Sequence, residues 1–239
     1  MKTLSYAAFT VTVCQATLFT PDHDTGFGRI IRHLPRWLAR FDADPVIASG
    51  DGGPPRIVLS DAARAWRAEV SATRADIYWV LSDATARPPL PHAFYPAAAD
   101  LLVEVMQVAR TRVGRLAAVI TRLAAHDAPG PYLAAHYCQP DWSEDPPDRC
   151  EVAIHHRYPL GGQHMVNGWT RSRTAPGPDP SVMAAVHVEQ DLNTLVEETM
   201  TRRFSAAEVS AWFALVPGEM DAMLDRHFPA ARAGASAGQ

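Results

Sequence analysis

Residues 96–125 read PAAADLLVEVMQVARTRVGRLAAVITRLAA, and the fold turns on what this stretch becomes. Leu102, Val105, Met106, Ala109, Val113, Leu116, Ile120 and Leu123 recur at spacings of three and four, the period of one helix face. Arg110, Arg112, Arg115 and Arg122 keep off that stripe. Asp127-Ala128-Pro129-Gly130-Pro131 then supplies a stop. The pattern predicts one long helix over 96–125, lying across a sheet with Leu102, Met106, Val113, Leu116 and Ile120 turned toward it.

Upstream, Phe9, Val11 and Val13 alternate with Thr10 and Thr12, which predicts a strand over 5–19. A turn at 21–25 follows, and Asp24 or Thr25 can cap a helix with Phe27, Ile30, Ile31, Leu34, Trp37, Leu38 and Phe41 on its apolar face. Pro35 should kink it. Beyond the loop at 51–55, short strands are expected over 57–59, 66–70 and 77–81. Downstream of the long helix, strands are expected over 132–138, 150–158, 163–172 and 182–192. Phe204-Ser205-Ala206-Ala207-Glu208 has the form of a capping box. It opens a helix carrying Val209, Trp212, Phe213 and Val216, which Pro217-Gly218 should kink or break before Met220, Met223, Leu224 and Phe228 resume the face. The tail 230–239 is small and polar and is expected to be disordered. The element order predicts one α+β domain over 1–229. Its antiparallel sheet would carry a long central helix and N- and C-terminal helices on one face. The order also divides into halves, about 1–126 and 127–229, of similar make-up.

Composition narrows the function classes. The chain has 239 residues, 47% hydrophobic and 20% charged, as a globular protein does. A net charge of −4 argues against a dedicated nucleic-acid binder, which needs a basic surplus to neutralise phosphates. The odd set Cys14, Cys138 and Cys150 suits a reducing compartment. Without a CxxC pair, no structural zinc site is expected. The alternation near the N-terminus is not that of a signal peptide, and no run of about 18 apolar residues suggests a membrane span. A cytoplasmic setting is the expectation.

Several short motifs give the chain a likeness. They are a strand, Pro-turn and helix over 18–41, and a hairpin from Pro55-Arg56-Ile57-Val58-Leu59 to Tyr78-Trp79. Tyr95-Pro96 opens the long helix, Val186-His187-Val188-Glu189-Gln190-Asp191 forms a late strand, and the last helix closes on His227-Phe228. In these the chain resembles a sporadically distributed family of uncharacterised bacterial proteins of about this length, a numbered family of unknown function. It departs from that pattern over 65–73, where the family is richer in Gln and Val, and at Ile77, where the family carries Asn before the aromatic pair. The resemblance implies the α+β fold, a bacterial cytoplasmic setting and an accessory or defence-type role. It implies no catalytic residues.

The residues that could carry chemistry sort by strand alternation. Over 151–158, Glu151, Ala153, His155 and Arg157 share one face; over 182–192, His187, Glu189 and Asp191 oppose the apolar face of Val182, Ala184, Val186, Val188 and Leu192. If these polar faces coincide, His155, Arg157, His187, Glu189 and Asp191 gather on one open surface. Histidines and carboxylates two apart on a strand can hold a metal or move protons, and the competing reading is a solvated, mixed-charge sheet face. Gly161-Gly162-Gln163-His164 lacks the spacing of a phosphate loop and fits a hairpin turn better. With no GxSxG or HExxH, no catalytic, metal or cofactor residues are assigned. The leading expectation is a non-enzymatic binding or regulatory module that acts through a protein partner. The alternative is a metal- or nucleotide-binding enzyme with its site on the polar sheet face.

Overall fold

The computed structural model describes residues 3–21, 29–30, 32, 46–48, 56–61, 65–81, 90–138, 145–175 and 184–229. The expected helix over 24–41, its kink at Pro35 and the tail at 230–239 fall almost wholly outside the described residues.

Among the described residues nine strands form one sheet: β1 Thr10–Phe19, β2 Val46–Ala48, β3 Arg56–Ser60, β4 Trp66–Val70, β5 Arg74–Val80, β6 Arg115–Ala125, β7 Glu151–Leu160, β8 His164–Ala175 and β9 Ala185–Thr194. Their spatial order is β2-β3-β4-β5-β1-β6-β9-β8-β7. Every neighbouring pair is antiparallel. The α-helices whose bounds the described residues give are α1 Pro91–Ala109, α2 Pro129–Tyr137 and α3 Ala206–His227. The chain is therefore α+β with an antiparallel sheet, as expected. No helix among the described residues is long and apolar enough to cross a membrane.

The long helix over 96–125 requires correction. Its first half is the helix α1, which starts earlier with Pro91 at its first turn and ends where Arg110 adopts φ 51°. That left-handed residue turns its N–H back to the carbonyls of Gln107 and Met106, which closes the helix. Gly114 then carries the chain past the carbonyl of Thr199, where an added Cβ would stand 2.0 Å away. The second half is β6, paired with β1 and β9 near the centre of the sheet. A second correction falls on 132–138, which is not a strand but most of helix α2. A third concerns α3, which continues through Pro217 and Gly218, so of the expected kink or break the break does not occur. The capping box at its start is present: Ser205 Oγ accepts from the Glu208 amide, and the Glu208 carboxylate accepts from the Ser205 amide at 2.7 Å.

One main core forms where Cys14, Ala16 and Leu18 of β1 meet Leu116, Ala118 and Ile120 of β6. Phe94, Tyr95 and Leu102 of α1 and Val209, Trp212 and Phe213 of α3 complete it. A second cluster joins Val186 and Val188 of β9 to Tyr132 and Leu133 of α2 and to Leu224 and Phe228 at the end of α3. Val186 and Val188 are fully buried, as the alternation of β9 requires.

Candidate functional site

The strand residues opposite these cores form a second, largely polar sheet face. Register places His155, Trp169, Asp191, Val119, Gln15 and Tyr78 side by side along one row across β7, β8, β9, β6, β1 and β5. The next row toward one edge holds Ala153, Arg171, Glu189 and Thr121, and the one after it Glu151, Arg173, His187 and Leu123. On the other side, Arg157, Asn167 and Asn193 follow. His155, Arg157, His187, Glu189 and Asp191 thus share one face. They do not form one cluster, because β8 lies between β7 and β9 and separates the two groups by two strand spacings, on the order of 10 Å.

Each of the five has its own local contacts. His155 Nε2 lies 3.1 Å from Asn167 Oδ1, and its ring stacks on Trp169 with centroids 4.3 Å apart. Arg157 pairs with Glu197 at 2.7 Å, both in solvent. His187 Nδ1 accepts from Arg173 Nε at 3.2 Å, and burial followed by the Arg173 charge holds its pKa below the usual histidine value. A neutral imidazole accepting through Nδ1 is the consequence. Glu189 stands 3.6 Å from Arg171, which also reaches Glu151 at 3.4 Å. Asp191 accepts from Asn193 Nδ2, and no ion pair reaches it from the described residues. Burial pushes its carboxyl above the usual aspartate range; the Asn193 hydrogen bond and the charges of Arg115 and Arg171 act in the opposite sense, while Glu189 adds to the rise.

Trp169 is the residue that pattern reasoning passed over. It stands 41% exposed on β8, one strand in from the β7 edge, and with Arg171, Glu189 and Asp191 it lines a shallow hollow of about 170 Å³. Its signal was available: β8 alternates buried Val166, Gly168, Thr170 and Ser172 with Met165, Trp169, Arg171 and Arg173, so Trp169 had to fall on the polar face. A contrasting site lies on the same face at the far side of β1. There Asp76 is 5% exposed and accepts from Gln15 Nε2 at 3.0 Å, Thr17 Oγ1 at 2.6 Å and Arg74 Nε at 2.7 Å. That carboxylate is fully used inside the protein, whereas Asp191 keeps acceptor capacity toward the hollow.

Among the described residues no three His, Cys, Asp or Glu side chains stand close enough to hold a metal ion. Gly161 and Gly162, at φ 57° and 72°, form the turn between β7 and β8, where Leu160 O accepts from Gln163 N at 3.1 Å. Cys138 and Cys150 are free thiols; burial and then Cys138 itself push the Cys150 thiol up.

The state of Asp191 sets a pH-dependent expectation. Its folded pKa lies above the unfolded one, so its ionised form weighs against the fold at neutral pH, and that penalty vanishes once both states are protonated. Asp191→Asn, whose amide oxygen can still accept from Asn193, should therefore be at least as stable as the wild type at pH 7. Its advantage should shrink as the pH falls through the carboxylate range. Urea unfolding at several pH values measures this, and an Asn variant less stable at pH 7 than at pH 4, relative to wild type, would contradict it.

No family model and no curated protein matches the chain. Among solved structures it shows a likeness to the di-domain ARO/CYC StfQ from the steffimycin biosynthetic pathway, at 11% identity over 90% of this chain and 97% of that one. The TM-score is 0.20.

Proposed function

We propose that the chain is a non-enzymatic binding module of the bacterial cytoplasm that docks a protein partner on its polar sheet face. The observation that carries this is the hollow of Trp169, Arg171, Glu189 and Asp191. An exposed tryptophan, braced on one side by His155, stands beside a half-buried carboxylate that makes no direct ion pair among the described residues. Tryptophan anchors ringed by polar groups dominate protein interfaces, and a guanidinium or ammonium can both stack on indole and reach a carboxylate. The reading therefore specifies a partner that presents a basic side chain. Each remaining charge on this face already has a neighbour of opposite sign or a hydrogen-bond partner, which favours recognition over acid–base chemistry.

The architecture suits such a role. In this reading the chain is two pseudo-similar halves, about 1–126 and 127–229, joined by the pairing of β6 with β9. The described helices α1, α2 and α3 then lie on one side, and the other side of the sheet is left for a partner. An accessory or defence role, which the family resemblance implies, is one setting in which such an adaptor would act.

Selection from a displayed random-peptide library tests the reading. The wild type should enrich peptides bearing Arg or Lys next to apolar residues, and Trp169→Ala or Asp191→Asn should lose that enrichment. Selection of acidic peptides, or equal selection by all three proteins, would refute the assigned site. Zinc or manganese titrated into wild type and into a His187→Ala, Asp191→Ala double variant addresses the metal alternative. Tight binding by the wild type alone would favour that alternative over partner docking.

A further inference from the structure

The outer strand β7 has a feature that the docking face does not explain. Among the described residues it ends the sheet order, and it is ten residues long. Cys150, one residue before it, accepts through its carbonyl from Thr174 N at 3.0 Å. Backbone groups alternate sides along a strand, so residues 152, 154, 156 and 158 turn theirs to β8. Glu151, Ala153, His155, Arg157 and Pro159 then aim their carbonyls, and all but Pro159 their N–H groups, off the sheet edge. All five are exposed. Pro159 can occupy such a position because it has no donor to leave unpaired.

We propose that this edge pairs with β7 of a second copy of the chain, antiparallel about a twofold axis at Ile154, so that two sheets join edge to edge. The sequence of the strand is self-complementary in one register. With the axis at Ile154, Glu151 of one copy faces Arg157 of the other, twice over by symmetry, and Ala153 faces His155. Every outward N–H and carbonyl from 151 to 157 finds a partner, giving about eight hydrogen bonds, and Pro159 falls just beyond the paired stretch. On the other face Ile154 meets its own copy beside the half-buried Val152. The neighbouring registers fail. An axis at Ala153 sets Arg149 against Arg157, and an axis at His155 sets Pro159, without its donor, against Glu151. The present partners of the two charged residues are solvent-exposed pairs, Arg157 with Glu197 and Glu151 with Arg171, which exchange at little cost.

Sedimentation equilibrium on the full chain tests this. The wild type should be a dimer at micromolar concentration. Glu151→Arg and Arg157→Glu should each weaken the dimer by about tenfold or more, because each sets like charges opposite one another twice. Circular dichroism should show both variants folded. An equimolar mixture of the two should restore the dimer, since opposite charges then face each other at both positions. A wild type that stays monomeric overturns the proposal and leaves the edge to an extended segment of some other protein. A dimer indifferent to both reversals overturns it as well, since the contact would then lie elsewhere.

Discussion

Asp221→Ala should destabilise the fold by about 3–5 kcal/mol, the range for a buried ion pair that loses one partner. Arg122 comes from the central strand β6, on the side that meets the helices, and its side chain is only 3% exposed. Its Nη2 donates to Asp221 Oδ1 of α3 at 2.7 Å, and its guanidinium lies 5.6 Å from the centre of the Tyr6 ring. Burying a guanidinium there is tolerable because the carboxylate neutralises it. Asp221 itself is 26% exposed and takes a further contact from His92 of α1 at 3.3 Å, so one carboxylate ties β6, α3 and α1 together. Alanine leaves the cation in an apolar layer. The double variant Arg122→Met, Asp221→Leu should recover most of the loss, because replacing both charges by apolar groups of similar volume removes the desolvation penalty. Urea midpoints of the three proteins give the answer. A single variant within about 0.5 kcal/mol of wild type would show that the pair is not buried as described.

Arg122 also shows why the fold was only partly legible in the sequence. In 96–125 the arginines kept off a helical stripe, so a single helix satisfied them. On β6, however, Arg122 shares a face with Leu116, Ala118 and Ile120, and polar Thr121 lies on the other. A central strand with apolar residues on both faces has no clean period of two, and a short apolar run then fits a helix as well. Two local signals spoke for the division: Gly114 in mid-stretch, and the β-branched run Val119-Ile120-Thr121. Pro129-Gly130-Pro131 misled in the opposite direction. Proline ends a helix, but it also suits the first turn of one, and here Pro129 opens α2.

The candidate site was more legible than the core because β8 and β9 each have one polar face. Alternation alone put His187, Glu189 and Asp191 opposite Val186 and Val188, and the register agrees. The order of strands was beyond alternation. That β8 would come between β7 and β9 depends on pairing across the sheet, so the separation of His155 and Arg157 from the β9 residues could not be read from spacing. Trp169 belongs to that intervening strand, and its position between His155 and Asp191 is a product of pairing.

Trp212→Ala should cost about 3–5 kcal/mol, the range for truncating a fully buried aromatic. Trp212 lies about two turns into α3, with no exposed surface, edge-on to Phe213 at 4.9 Å and 86°. It stands in the main core with Phe94 and Tyr95 of α1, where the two long helices meet over the sheet. Alanine is the better helix former, so intrinsic propensity favours the variant by a few tenths of a kcal/mol. Any loss must therefore come from packing and from the cavity left behind. Among the described residues the indole Nε1 finds no hydrogen-bond partner. Trp212→Phe gives up ring area but also removes that unpaired donor, so it should be the milder change by at least about 1 kcal/mol. Urea unfolding should show both midpoints lowered with the slope unchanged, since the native fold and the surface it buries stay nearly the same. An alanine variant as stable as wild type would mean that α3 does not rest on α1 through this ring. A phenylalanine variant no better than alanine would mean that the indole nitrogen is hydrogen-bonded after all.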